Sequence, residues 1–175
     1  FKIEDSFEIS DVPFYIILGL VAGITSMYFT EVYTRVQKFF DKFDSPVKRL
    51  LIGGVSIGVI VYFIPPLYGE GFDVINNLVK GHPGNFLDNN VFNLNLDNVW
   101  TLIMLLGGLV VFKIFATSIT FGAGGVGGIF APTLFMGSLM GNCLAKILNN
   151  IGLLSVRISE SNFTLVGMAG LMAGV

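Results

Sequence analysis

Between Val99 and Phe121 the chain runs for 23 residues with a single charge, Lys113. A β-strand typically has about 5–6 residues, whereas a helix that crosses the hydrocarbon of a bilayer needs about 20. The run therefore reads as a membrane helix. Nearly uninterrupted apolar stretches recur at Phe14 to Phe29, Leu51 to Ile64, Ile129 to Leu148 and Phe163 to Val175. With 53% hydrophobic and 13% charged residues and a mean hydropathy of +0.77, an ordinary soluble domain is excluded. The formal charge of −2 gives no reason to expect a nucleic-acid partner. The expected class is an all-α, polytopic, multi-pass membrane protein.

Proline and small polar residues set the expected segment bounds at 13–40, 46–64, 72–79, 99–121, 129–148 and 163–175. Ser10 or Asp11 before Pro13, and Ser45 before Pro46, are cap-then-proline pairs that open helices. Pro65-Pro66 closes the second segment, Asp97-Asn98 caps the fourth, and Asn149, Asn150 and Gly152 end the fifth. Glycines four apart at Gly19/Gly23, Gly54/Gly58 and Gly137/Gly141 have the spacing that lets helices approach closely in lipid, or that merely relieves crowding.

Charge supplies an orientation. Lys38, Lys42, Lys48 and Arg49 lie in the connection 38–49, which the positive-inside tendency places in the cytoplasm. The polar stretch from Leu67 to Asn98, with Lys80 its only Lys or Arg, suits the opposite side. Trp100 fits a membrane interface. His82, in Gly-His-Pro-Gly without a second ligand nearby, reads as a solvated turn residue, and Cys143 reads as a small core residue. No metal site is expected. Lys113 is either a functional group at membrane depth or a side chain near a helix end that snorkels to the interface, the latter being the expectation. A start at Phe1 and an end inside an apolar run suggest a chain truncated at both ends.

Between the fourth and fifth segments lies Gly122-Ala-Gly-Gly-Val-Gly-Gly-Ile-Phe-Ala-Pro132, with five glycines in its first seven residues. Such a run leaves the backbone free to adopt positive φ and to approach a ligand. Pro132 fits the first turn of a helix, which would leave the N–H groups of Ile129 and Phe130 without internal partners at the positive end of the dipole. Those are the elements of an anion site made of backbone. Gly122, Gly124 and Gly127 also satisfy G-x-G-x-x-G, the dinucleotide fingerprint of certain enzymes. That motif requires a short preceding strand and an acidic residue about 20 positions on, and no Asp or Glu occurs between Asp97 and Glu160. A third reading, a membrane transporter or scaffold whose glycine loop only packs, stays open on these grounds.

The run Ala116-Thr-Ser-Ile-Thr-Phe-Gly-Ala-Gly-Gly-Val-Gly-Gly-Ile-Phe-Ala-Pro132 resembles a signature segment of the CLC family of chloride channels and chloride/proton antiporters, often described as voltage-gated. Ser10-Asp-Val-Pro13, Tyr68-Gly-Glu-Gly-Phe72 and Gly167-Met-Ala-Gly170 resemble family positions in the same order. The resemblance implies helices J to O, part of one inverted half of the CLC membrane domain, with helices broken at mid-membrane. It implies chloride as transported ligand, no cofactor, no enzymatic activity, and a homodimer in the full-length protein. By the same resemblance the chloride contacts are the backbone amides of Ile129 and Phe130 beside Gly128. Gly124, Gly125, Gly127, Ala131 and Pro132 shape the site. The family's gating and proton glutamates fall outside the chain, so channel and antiporter are not distinguished.

Overall fold

The computed structural model describes residues 11–81, 98–151 and 157–175. Ser10, His82, Asp97 and Gly152, to which the sequence reading assigned turn or cap roles, lie outside them. The described residues are helical, with no strand among them: α1 Val12–Phe40, α2 Pro46–Phe63, a 3-10 turn Pro65–Leu67, α3 Phe72–Val79, α4 Val99–Gly122, α5 Phe130–Ile151 and α6 Glu160–Gly174. Three of these, α1, α2 and α4, are long and apolar enough to cross a membrane by length and composition.

Local chemistry accounts for most helix ends. Pro13 and Pro46 stand in the first turns of α1 and α2, where a missing N–H leaves no bond unmade. Neither Asp11 nor Ser45 makes the expected side-chain cap bond to its helix. Asn98 does cap α4, its side chain accepting from the Trp100 amide at 3.0 Å. Helix α6 starts at Glu160, earlier than the expected 163, because the Ser159 side chain accepts from the Asn162 amide. Helix α5 continues through Asn149 and Asn150 to Ile151 instead of ending near 148. Asn149 does not compete for its own backbone there. Its Nδ2 donates to the Ile158 carbonyl at 3.0 Å, and its Oδ1 accepts from the Ile158 amide at 2.8 Å.

Helices α5 and α6 form the most extensive contact, with α1 and α4 packed beside them and α3 laid across α5 and α6. Their closeness depends on glycine. A β-carbon on Gly141 would run into the Phe163 carbonyl, and one on Gly167 into the Gly137 carbonyl. Gly137 and Gly141 thus act as spacing predicts. Among the described residues, nothing lies within 4 Å of a β-carbon placed on Gly19, Gly23, Gly54 or Gly58, so spacing alone did not separate packed from open glycines. On α2 the close approach belongs to Gly53, which faces Ala123.

The core is apolar, built from Leu18, Phe29, Leu106, Ile114, Phe135, Leu139 and Phe163. Outward-facing Leu20, Ile24, Met27, Leu50, Leu51 and Val55 are also apolar and exposed. In water such a surface would drive association; against hydrocarbon it matches its solvent. Several buried polar side chains bond internally: the Ser118 hydroxyl donates to the Ile114 carbonyl at 2.7 Å and the Asn142 Nδ2 donates to the Thr164 hydroxyl at 3.2 Å, while Asn142 Oδ1 and Asn162 Nδ2 are buried without a partner among the described residues.

Candidate functional site

The glycine corner interrupts what would otherwise be one long helix. Helix α4 ends at Gly122, the Ala123 amide closes it on the Ile119 and Phe121 carbonyls, and the Gly125 amide returns to the Thr120 carbonyl at 2.8 Å. Gly124 takes φ +94°, a conformation open to glycine and strained for other residues. Gly125 has a second constraint: a β-carbon there would meet the Thr120 side chain and carbonyl at 2.7 Å. Residues 125–128 then run without regular structure until α5 begins at Phe130.

At the start of α5 the first intrahelical bond is from the Thr133 amide to the Ile129 carbonyl, 3.0 Å. Among the described residues, neither the Ile129 nor the Phe130 amide donates to a backbone carbonyl. Pro132 has no amide to donate. The Thr133 hydroxyl turns back to the Ile129 and Phe130 carbonyls, at 3.0 and 2.8 Å, and so leaves the amide donors untouched. The corner is open: Val126 is fully exposed and Phe130 is 56% exposed. Gly127, Gly128, Ala131 and Pro132 line a cleft of about 510 Å³ whose other walls are Thr117 and Thr120 of α4 and the segment from Leu67 to Glu70. Gly124, Gly125, Ile129 and Phe130 are not on that lining.

Because a helix, α4, precedes the corner where a strand would be required, the dinucleotide reading has no structural basis. Among the described residues no group of His, Cys, Asp and Glu is placed to hold a metal ion.

Three membrane-length helices, α1, α2 and α4, an apolar outer surface and a helix α5 that opens on amides without a backbone partner among the described residues are the setting in which the sequence can be compared with known proteins. The family model described as voltage gated chloride channel matches residues 1–175. The chain belongs to the CLC family. Similar CLC proteins include the H(+)/Cl(-) exchange transporter ClcA of Vibrio cholerae, 30% identical over 97% of this chain and 33% of its own length. Chloride channel protein CLC-f of Arabidopsis thaliana is 28% identical over 95% of this chain and 21% of its own. Voltage-gated ClC-type chloride channel ClcB of Salmonella typhimurium is 30% identical over 74% of this chain and 27% of its own. The chain therefore spans about a third or less of the CLC relatives it matches. As a CLC protein it is an integral membrane protein, and the relatives' names are those of channels and exchangers.

On the same cleft the CLC chain holds an arrangement that sequence reasoning did not foresee. Lys113, halfway along α4, does not snorkel: it is only 5% exposed. Its Nζ donates to the Leu67 carbonyl at 3.1 Å and the Gly69 carbonyl at 2.8 Å, and lies 4.9 Å from the centre of the Phe135 ring. The ring packs in turn against Gly71, whose φ of +77° and missing side chain leave room for it. Helices α4 and α5 and the segment from Leu67 to Gly69 thus meet at one ammonium. The available signal was Lys113 itself, the lone charge of its apolar run; its acceptors were illegible because backbone carbonyls leave no compositional trace.

Proposed function

We propose that the glycine corner binds chloride or a similar monovalent anion in a membrane channel or chloride/proton exchanger, as one wall of the transport path. The observation that carries this reading is the pair of amides at Ile129 and Phe130, which start α5 without a carbonyl partner where the chain has just unwound. Two unpaired donors and the positive end of a helix dipole attract a negative ion without a cationic side chain. Irregular backbone at membrane depth belongs where protein buries it or a water-filled cavity adjoins it, and the cleft beside Gly127 and Gly128 fits the second case. Gly128 lets the chain approach the ion, Gly124 and Gly125 form the turn, Gly127, Ala131 and Pro132 direct α5, and no cofactor is needed. The connection 38–49 faces the cytoplasm in this reading, and the full-length protein works as a homodimer in the bilayer.

The competing reading makes the corner a packing turn in some other transporter or scaffold. Ala123 and Gly122 do pack, against Gly53 and Phe40, but Val126, at the tip of the corner, is fully exposed. The test is equilibrium bromide binding to the full-length protein in detergent. Phe130→Pro removes one amide donor at a helix position that tolerates proline, and Phe130→Leu keeps the donor. At least tenfold weaker binding for the proline variant alone is expected; equal affinities would defeat backbone ligation.

A further inference from the structure

We infer that Lys113 is the specificity-determining residue of the cleft: its buried ammonium, hydrogen-bonded but not neutralised, supplies the positive potential that holds anions there and turns cations away. The inference rests on the anion reading of the glycine corner. Two facts distinguish Lys113 from an ordinary structural lysine. Both acceptors are neutral carbonyls, of Leu67 and Gly69, so the hydrogen bonds satisfy donors and leave the charge uncancelled. No ion pair among the described residues includes Lys113. The ring face of Phe135 at 4.9 Å is another neutral partner.

The other charged residue on the cleft, Glu70, is exposed and lies beyond ion-pair distance. Solvent and salt screen an exposed carboxylate far more than a buried ammonium. The field inside the cleft therefore takes its sign from Lys113. Thr117 and Thr120 continue the same wall toward the corner. From Lys113 to Phe121 is eight residues of helix, roughly 12 Å at about 1.5 Å each. For separations on the order of 12 Å, at an effective dielectric constant of about 20, one unit charge changes the affinity for another about tenfold.

The experiment measures bromide binding, and anion-over-cation permeability in reconstituted liposomes, for full-length Lys113→Arg, Lys113→Gln and Thr117→Asp, with Phe130→Pro in parallel. Arginine keeps the charge and should stay within about threefold of the parent. Glutamine keeps a donor for the carbonyls but no charge, and should lose about tenfold in affinity together with part of the selectivity. Thr117→Asp leaves Lys113 in place and sets a carboxylate one turn away, the i,i+4 spacing that pairs charges; it should reproduce the glutamine result even where the glutamine variant fails to fold. Unchanged affinity and selectivity in Thr117→Asp or in a folded Lys113→Gln overturn the inference, and a loss in Phe130→Pro alone would do so while sparing the corner. A loss on neutralising Lys113 with none in Phe130→Pro would instead move the anion away from the amides.

Discussion

The Lys113 ammonium stands 2.8 Å from the carbonyl oxygen of Gly69, and that contact joins an apolar helix to the segment that follows α2. The pairing answers two needs at once. A charge buried in α4 requires acceptors, and the segment after Pro65 and Pro66 has carbonyls that no helix satisfies. Removing the side chain harms both partners.

Lys113→Met should therefore destabilise the protein by about 1–3 kcal/mol, since the Leu67 and Gly69 carbonyls lose their donor and Leu67 is buried. Thermal unfolding in detergent should show a lower midpoint for Met than for Arg. Equal midpoints would mean that water reaches these carbonyls.

Gly71→Ala should cost about 1–3 kcal/mol. Its φ of +77° is unfavourable for alanine, and the new methyl would meet the Phe135 ring. A crowded ring also displaces the face that Lys113 lies against, so a shift in the near-ultraviolet circular dichroism is expected. An unchanged spectrum and midpoint would contradict the described contact.

At the crossing of α5 and α6, Gly141→Ala places a methyl against the Phe163 carbonyl, and Gly167→Ala one against the Gly137 carbonyl. Neither backbone can yield without separating the helices, and overpacking of this kind costs about 1–3 kcal/mol. Gly19→Ala meets no described atom within 4 Å, and alanine is the better helix former. Denaturation midpoints should fall for the first two and hold or rise for the third.

Asn149→Ala removes both hydrogen bonds to Ile158. A loss of about 1–2 kcal/mol is expected, and hydrogen exchange at the Ile158 amide should quicken. Exchange as slow as in the parent would mean that other groups hold that turn.

The Lys146 ammonium meets the Glu160 carboxylate at 2.6 Å, with both side chains largely shielded, and ties the end of α5 to the start of α6. Glu160→Gln should lower stability by roughly 1–3 kcal/mol by stranding a shielded charge. Glu31→Gln, at the exposed pair with Arg35, should change it by less than about 1 kcal/mol. Similar losses at both positions would rule out shielding as the distinguishing factor.

How much was legible follows from where each signal resides. Length and continuity of apolar runs are properties of local sequence, and the bilayer imposes a minimum helix length, so the helical class and the break at Gly122–Gly128 could be read directly. The amides at Ile129 and Phe130 were legible for the same reason: Pro132 and the glycines before it leave no local partner for them. The start of α4 at Val99 follows from the Asn98 cap, also local, whereas the Ser159 cap that starts α6 at Glu160 went unread in the sequence, which put that start at 163. Gly19, Gly54 and Gly137 have the same spacing in sequence, and their neighbours differ only because α6 happens to cross α5.

What the sequence determined on its own is thus what rests on a residue and its near neighbours: spans, breaks and the backbone donors that a helix start leaves unpaired. Tertiary structure alone decided that Lys113 points inward, that its partners are carbonyls 44 and 46 positions earlier, and that it shares a cleft with the glycine corner. The reason is physical. Backbone acceptors are identical at every residue, so which of them meets a buried charge depends on how the helices pack and on nothing that residue type records.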